Sequence, residues 1–294
     1  TRSSPRRNGQ ANAAGRARGR LLTSLRDGCA LTGTMPCITT DYAAVSRGNP
    51  RPVLRRIAEA GFTHAHWCHH WDSDFVYSDA EVDAIGRWLR AYGLRLLDLH
   101  ASTGPEKNWA SHRPHERAAG VDLVRNRIRM TARLGGDAIV MHIPSGPPSG
   151  ALRRSLDELR PDARAAGVRV ALENGEFGSI GTLLAGYPPD YLGLCYDSGH
   201  ANLPGGGGLA RLDALKDRLL VVHLHDNDGT ADQHRLPFTG TVDWPALARV
   251  LAASAYRKPL STEANTGCHP GMDGAEFLTR AHAAMTRLTG MVAG

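Results

Sequence analysis

Between His223 and His234 the sequence carries six residues whose side chains can bind a metal ion. An apolar run, Leu219 to Val222, has the length and composition of a buried parallel strand. The next twelve positions contain three histidines and three aspartates: His223, His225, Asp226, Asp228, Asp232 and His234. Ordinary surface loops are rich in Ser, Gly and Lys, whereas imidazoles and carboxylates beside a buried strand are typical of an active-site loop.

Five further apolar runs also end on a residue that can bind a metal. These residues are His100, His142, Glu173, Asp197 (with His200 three positions on) and Glu263. A carboxylate at the end of a run such as VRVALE is costly to bury unpaired, and a shared cation would offset that cost for several strands. We therefore predict a site for a divalent metal, with four ligands: Glu173, Asp197, His223 and Glu263. Three carboxylates with one imidazole suit Mn²⁺, Mg²⁺, Co²⁺ or Zn²⁺.

The elements that must position these residues alternate regularly along the chain. Short apolar strands are followed by amphipathic helical segments eight times, and Pro161 is predicted to interrupt the fourth helix. One helix is predicted to begin after Ser78, with Glu81 completing a capping box. Eight such units in about 265 residues favour an α/β fold, a single (β/α)₈ TIM barrel. The glycine motifs that bind dinucleotides and nucleoside triphosphates are absent, so no nucleotide cofactor is expected.

Charge and composition divide the chain unequally. Residues 1–20 hold six arginines and no acid, and the remainder has 29 basic and 29 acidic residues. We predict a disordered Arg-rich tail over residues 1–25 and the barrel over 26–294. No run of 18 apolar residues predicts a membrane span. Five scattered cysteines without a CxxC pair indicate a reducing compartment, and hence the cytoplasm. The sequence leaves open whether the protein forms a homo-oligomer.

Several motifs resemble one family, the xylose-isomerase-like barrels. The resemblance runs from about Arg51 to the C-terminus and is most specific in LENGEFGS, LCYDSGHAN, VVHLHDNDGTADQH and STEAN. In the single-metal isomerases of this family, the ligands would match Glu173, Asp197, His223 and Glu263, and His200 would contact the substrate. In the family's apurinic-site endonucleases, a three-zinc site would additionally use matches to His100, His142, His200, Asp232 and His234.

The resemblance implies two different activities. An isomerase or epimerase would bind a small sugar, ketose or inosose on the metal and move a proton by enediolate chemistry, with Glu173 and Glu263 as acid and base. An endonuclease would need a surface for a polyanion. Because residues 21–294 are formally neutral and the loops WDSDFVYSD and HDNDGTAD are acidic, we favour the small molecule over nucleic acid. A dehydratase or lyase also stays open. Ser179 stands where ketose 3-epimerases of the family carry a second glutamate.

A second wall of the pocket is predicted after the second strand. The segment HWCHHWDSDF supplies aromatic rings, which stack on the apolar face of a sugar, beside imidazoles that bind hydroxyl groups. Its candidates for binding substrate or a further metal are His66, Trp67, His69, His70 and Trp71, to which the loop after the seventh strand adds His225.

Overall fold

A computed structural model of the chain describes residues 35–43, 48–205 and 207–294. The predicted tail, residues 1–25, lies outside these ranges. The strands are β1 (Cys37–Thr39), β2 (His64–Trp67), β3 (Arg95–His100), β4 (Ala138–Met141), β5 (Arg169–Glu173), β6 (Leu192–Asp197), β7 (Leu219–His223) and β8 (Ser261–Thr262). The helices are α1 (Pro50–Glu59), α2 (Asp79–Ala91), α3 (Pro114–Leu134), α4 (Gly150–Ala166), α5 (Phe177–Gly186), α6 (Ser198–Asn202), α7 (Gly208–Leu215), α8 (Trp244–Ala253) and α9 (Gly274–Ala293).

The strands form a parallel, nearly closed barrel with the helices between them, as the sequence predicts. Their order in the sheet is β7-β6-β5-β4-β3-β2-β1-β8. The two ends of this order meet beyond β7, where Leu224 pairs in parallel with Thr262. The backbone N–H of Leu224 donates to the carbonyl of Ser261 at 2.9 Å. This pairing brings the ends of β7 and β8 side by side.

Two of the helices test what the local sequence predicts about where a helix begins or is interrupted. The predicted capping box of α2 is confirmed: Ser78 Oγ accepts from the backbone N–H of Glu81, and the Glu81 carboxylate accepts from that of Ser78. The predicted interruption at Pro161 is wrong, because α4 runs through it. Leu159 and Ala163, on either side of the proline, are fully buried, and their packing stabilises the helix despite the missing N–H.

A small buried cluster inside the barrel lies directly beneath the candidate functional residues. It consists of Ala138, Val140, Ala171, Cys195, Leu220 and Val221, and it is separate from the large core between strands and helices. Side chains two positions apart on a strand point to the same face. The interior residues Ala171, Cys195 and Val221 are therefore followed, two positions on, by Glu173, Asp197 and His223 respectively. Alternation along each strand thus directs these ligand types into the mouth of the barrel.

Among the described residues, no helix has both the length and the apolar character needed to cross a membrane.

Candidate active site

The ends of three strands bring Glu173, His223 and Glu263 into contact, and we call these residues the central group. Glu173 ends β5, His223 ends β7, and Glu263 directly follows β8. The Nδ1 atom of His223 lies 2.8 Å from Oε1 of Glu173 and 3.2 Å from Oε1 of Glu263. All three side chains are buried. Two carboxylates therefore approach one imidazole nitrogen, which carries at most one proton.

Both glutamates of the central group are held in the ionised form. Burial by itself would raise their pKa values, because it removes water from the charged state. The imidazoles of His223 and His142 outweigh burial and hold the pKa of Glu173 well below its usual range. His223 and His66 likewise lower the pKa of Glu263. The negative charge concentrated here is what a divalent cation would stabilise.

Asp197, the fourth predicted ligand, makes its contacts on the side of the site near His200 and His225. Its Oδ1 accepts from the backbone N–H of His200 at 2.7 Å and caps α6. Its Oδ2 lies 2.9 Å from Nε2 of His225. Strand pairing places Asp197 level with His223 in the sheet. The central group and Asp197 thus occupy neighbouring strands, but the direct contacts of Asp197 are with other imidazoles.

Three histidines surround Asp232, and with it they form what we call the Asp232 group. The Asp232 carboxylate lies 3.3 Å from Nε2 of His200, 3.7 Å from Nε2 of His225 and 3.1 Å from Nε2 of His234. The rings of His225 and His234 stack at 4.0 Å. Burial by itself would lower the pKa of His200, but the carboxylates of Asp197 and Asp232 outweigh burial and raise that pKa to about 11.

A third set, the His100 group, consists of His100, His142 and Glu173. Oε2 of Glu173 lies 3.2 Å from Nε2 of His100 and 3.3 Å from Nε2 of His142. Glu173 therefore belongs to both this group and the central group, with one oxygen in each. The ring of Trp71 lies 4.9 Å from that of His100 and 5.8 Å from that of His142.

The hydrogen bonds of the histidines fit residues that bind a metal. Metal-binding histidines usually donate one ring N–H to a carbonyl or carboxylate, which leaves the other nitrogen free for the metal. Three histidines of the groups above have Nδ1 within 2.9–3.2 Å of a backbone carbonyl and Nε2 facing a carboxylate: His100 (Ala101), His200 (Asn174) and His234 (Glu263). A nitrogen lone pair that faces an anion at about 3 Å is unfavourable without a proton or a cation between them.

The predicted aromatic wall divides into two parts. Trp71 lies over the His100 group, and His66 approaches Glu263, with Nε2 at 3.0 Å from Oε1. Trp67 is instead buried and donates to Tyr77, because neighbouring strand residues point to opposite faces. The other two members lie on the side of Trp67, away from the three groups: the ring of His69 packs on Trp67, and that of His70 stacks on Phe75.

Sequence reasoning missed three buried residues that contact the site. Asp98, inside the apolar run of β3, lies 2.5 Å from Nδ1 of His66. Cys68 contacts Glu263 at 3.8 Å. Asn174 binds the backbone of Asp197 through both ends of its amide. Each had a signal in the sequence: Asp98 stands two positions before His100, and hence on the same face of β3, while Cys68 and Asn174 lie within the motifs HWCHHWDSDF and LENGEFGS.

The chain belongs to the xylose isomerase-like TIM barrel family, whose model matches residues 54–287. The uncharacterized protein y4fM of Sinorhizobium fredii is 33% identical over 279 residues, which cover 83% of this chain and 89% of that protein.

Two solved structures share the fold. A xylose isomerase domain protein from Alicyclobacillus acidocaldarius has a TM-score of 0.69 at 20% identity, covering 89% of this chain and 99% of its own. A D-psicose 3-epimerase crystallised in the presence of D-fructose has a TM-score of 0.70 at 18% identity, covering 89% of this chain and all of its own, 100%. The predicted family is confirmed, and these similarities establish the architecture.

Proposed function

We propose that the protein is a divalent-metal-dependent isomerase or epimerase that acts on a small polyhydroxylated carbonyl compound. The observation that carries this proposal is the central group, where Glu173 and Glu263 approach one nitrogen of His223 from different strands. Two ionised carboxylates on either side of a reacting carbon can remove and return a proton. The solved relatives named as sugar epimerases have the same architecture, which adds support.

The central group and Asp197 are the residues we propose as the metal ligands. A divalent cation bound there would polarise the substrate carbonyl and stabilise the negative charge of an enediolate. Glu173 and Glu263 are both ionised, so one of them takes the proton from the substrate carbon, and the carboxylic acid so formed returns it, directly or by passing it to the other carboxylate. His200, with its pKa raised to about 11, would turn the N–H of Nε2 from Asp232, 3.3 Å away, to the substrate oxygen where charge develops, while Nδ1 stays on the carbonyl of Asn174.

The surroundings of these groups suit a sugar. Trp71 presents a half-buried ring beside His100 and His142, and such a ring can stack on the apolar face of a pyranose or ketose. Ser179 occupies the position of the second glutamate in ketose 3-epimerases, and its hydroxyl donates to the carbonyl of Gly146 at 2.7 Å. The substrate is therefore expected to differ from that of the ketose 3-epimerases.

Proton abstraction can be measured directly. We expect that incubation with ketoses and inososes in D₂O, with Mn²⁺ added, introduces deuterium next to the carbonyl of the true substrate, as seen by NMR. Glu263→Gln should abolish the exchange, because the amide can neither serve as a base nor bind the metal as an anion. The same change at an exposed position, Glu59→Gln, is the matched control and should leave the exchange intact.

Apurinic-site endonuclease activity is the second candidate, and a specific observation favours it. The Asp232 group and the His100 group flank the central group, so the described residues offer three adjacent sets of metal donors. Against it, residues 21–294 carry balanced charge and offer no excess of cations to hold a polyanion. Cleavage of an abasic-site duplex that requires zinc and weakens with salt, together with no deuterium exchange in any sugar, would replace our proposal with this one.

A dehydratase or lyase would use the same carboxylates. The enediolate then expels a neighbouring hydroxyl group, and the NMR experiment would show loss of water from the deuterated substrate as well as exchange.

A further inference from the structure

A cluster beside the central group combines three kinds of donor atom. His66 lies one position before the end of β2, Cys68 directly follows that strand, and Glu263 directly follows β8. We call these three residues the β2 cluster. Nε2 of His66 lies 3.0 Å from Oε1 of Glu263, and Sγ of Cys68 lies 3.8 Å from the same oxygen. Each of the three offers a donor atom within 4.8 Å of the other two.

Asp98 determines which nitrogen of His66 is free. The Asp98 carboxylate lies 2.5 Å from Nδ1 of His66, and both side chains are completely buried. This contact fixes the orientation of the ring, with Nδ1 on Asp98 and Nε2 turned toward Glu263. A carboxylate that holds a histidine in this way is the usual partner of a histidine that binds zinc.

The free nitrogen has no hydrogen-bond partner. Nε2 of His66 is buried and lies close to Glu263, but the two atoms are misaligned for a hydrogen bond. A buried nitrogen without a partner is costly. A cation between His66, Cys68 and Glu263 would satisfy that nitrogen and separate it from the carboxylate.

Hydrogen bonds with the hydroxyl groups of two threonines hold Cys68 in place for the same role. Its N–H donates to Oγ1 of Thr40 at 3.0 Å, and the hydroxyl of Thr39 donates to its Sγ at 3.1 Å. The bond lengths of zinc to nitrogen, oxygen and sulphur, about 2.0–2.3 Å, place tetrahedral ligands roughly 3.3–3.8 Å apart. The distances of 3.0 and 3.8 Å from the Glu263 oxygen are close to that range.

We propose that the β2 cluster binds a borderline-soft divalent cation such as Zn²⁺ through His66 Nε2, Cys68 Sγ and Glu263, with Asp98 as a positioning residue. A sulphur ligand selects zinc or cobalt over magnesium or manganese, which prefer oxygen. Glu263 is shared with the central group. The inference does not depend on the proposed reaction, since a protein that exchanges no sugar proton can still bind a metal here.

Cobalt reports directly on a sulphur ligand. We expect the full-length protein, stripped of metal and titrated with Co²⁺, to develop the near-ultraviolet charge-transfer band of a cobalt–thiolate bond, which Zn²⁺ then removes. Cys68→Ser should lose the band, while the exposed Cys268→Ser, the matched control, should keep it. The proposal fails if bound Co²⁺ gives no such band in the unaltered protein, or if the band survives in Cys68→Ser, which would assign it to another cysteine.

X-ray absorption of the unaltered protein covers the case in which Cys68→Ser does not fold. With Zn²⁺ bound to saturation, we expect a sulphur neighbour at about 2.3 Å from zinc. A spectrum with nitrogen and oxygen neighbours alone would overturn the proposal.

Asp98→Asn tests the positioning role by metal affinity. Loss of such a partner typically weakens binding about 10–100-fold, so the Co²⁺ concentration that gives half of the charge-transfer band should rise by that factor. Asp137→Asn, which alters an aspartate paired with Lys258 and Arg169, is the control and should bind Co²⁺ as before. Equal affinities in the two variants would remove Asp98 from the proposal.

Discussion

Asp232 illustrates how one carboxylate changes the charge of its neighbours. Burial lowers the pKa values of His200 and His234, yet Asp232 and nearby carboxylates raise them to about 11 and about 10 respectively. Both imidazoles are thus protonated at neutral pH when no metal is bound. A metal at the Asp232 group would have to displace these protons.

This charge predicts how the stability of the metal-free protein depends on pH. In the unfolded chain a histidine loses its proton near pH 6.5, whereas folded His200 and His234 keep theirs to about pH 10. The folded state therefore binds more protons above pH 6.5, and the free energy of unfolding should fall as pH rises from 7 to 10, by at most about 1.4 kcal/mol per pH unit for each proton.

Urea unfolding of chelator-treated protein at several pH values measures this slope. Asp232→Asn should flatten it, and Asp228→Asn, in the same loop but without a histidine partner among its bonds, should not. Equal slopes in all three proteins would show that Asp232 does not hold the two protons.

At the scale of the elements, α3 crosses the loop that follows β3 with no space between their backbones. A Cβ atom on Gly120 of α3 would lie 2.2 Å from the backbone nitrogen of Trp109. Gly181 of α5 has no atom within 4 Å of the corresponding position. The loop, which leads from His100 to α3, is therefore held by a contact that only glycine allows.

The same substitution should have opposite effects in these two helices. Gly181→Ala should stabilise the protein by about 0.5–1 kcal/mol, because alanine loses less conformational freedom in a helix. Gly120→Ala should destabilise it by about 1–3 kcal/mol, because the new methyl group forces the loop away. Denaturant unfolding measures both, and similar values for the two variants would contradict the close contact at Gly120.

At the scale of the whole molecule, buried negative charge is concentrated at the end of the barrel where the strands finish. Glu173, Asp197 and Glu263 are all buried there, on three strands. The imidazoles that contact them offset part of the repulsion among these carboxylates when no cation is present, and packing in the rest of the barrel must offset what remains. A bound metal should therefore stabilise the folded state.

We expect Mn²⁺ or Zn²⁺ to raise the melting temperature of the metal-free protein. A ligand at 100 times its Kd adds about 2.7 kcal/mol, which corresponds to a shift of roughly 4–5 °C for a chain of this size. Glu173→Gln should reduce the shift, since Glu173 belongs to two of the donor groups, and Glu59→Gln should keep it. A melting temperature unchanged by either metal would contradict metal binding at the strand ends.

The sequence alone determined the barrel, the capping box of α2 and the strand ends on which the ligand types stand. These are local properties, because hydrophobic periodicity and cap residues act within a few positions of one another. The family resemblance followed from motifs at the same strand ends. The roles of the individual ligands stay predictions.

Only the tertiary structure decided which donors touch. Cys68 and Glu263 are 195 positions apart in the chain and meet because the barrel brings β1, and with it β2, next to β8. His66 and Trp67 are adjacent in sequence, yet one faces Glu263 and the other is buried against Tyr77. Alternation along a strand says which residues share a face, but which face looks into the barrel and which donors then meet is decided by packing between distant strands, which residue types and spacing do not contain.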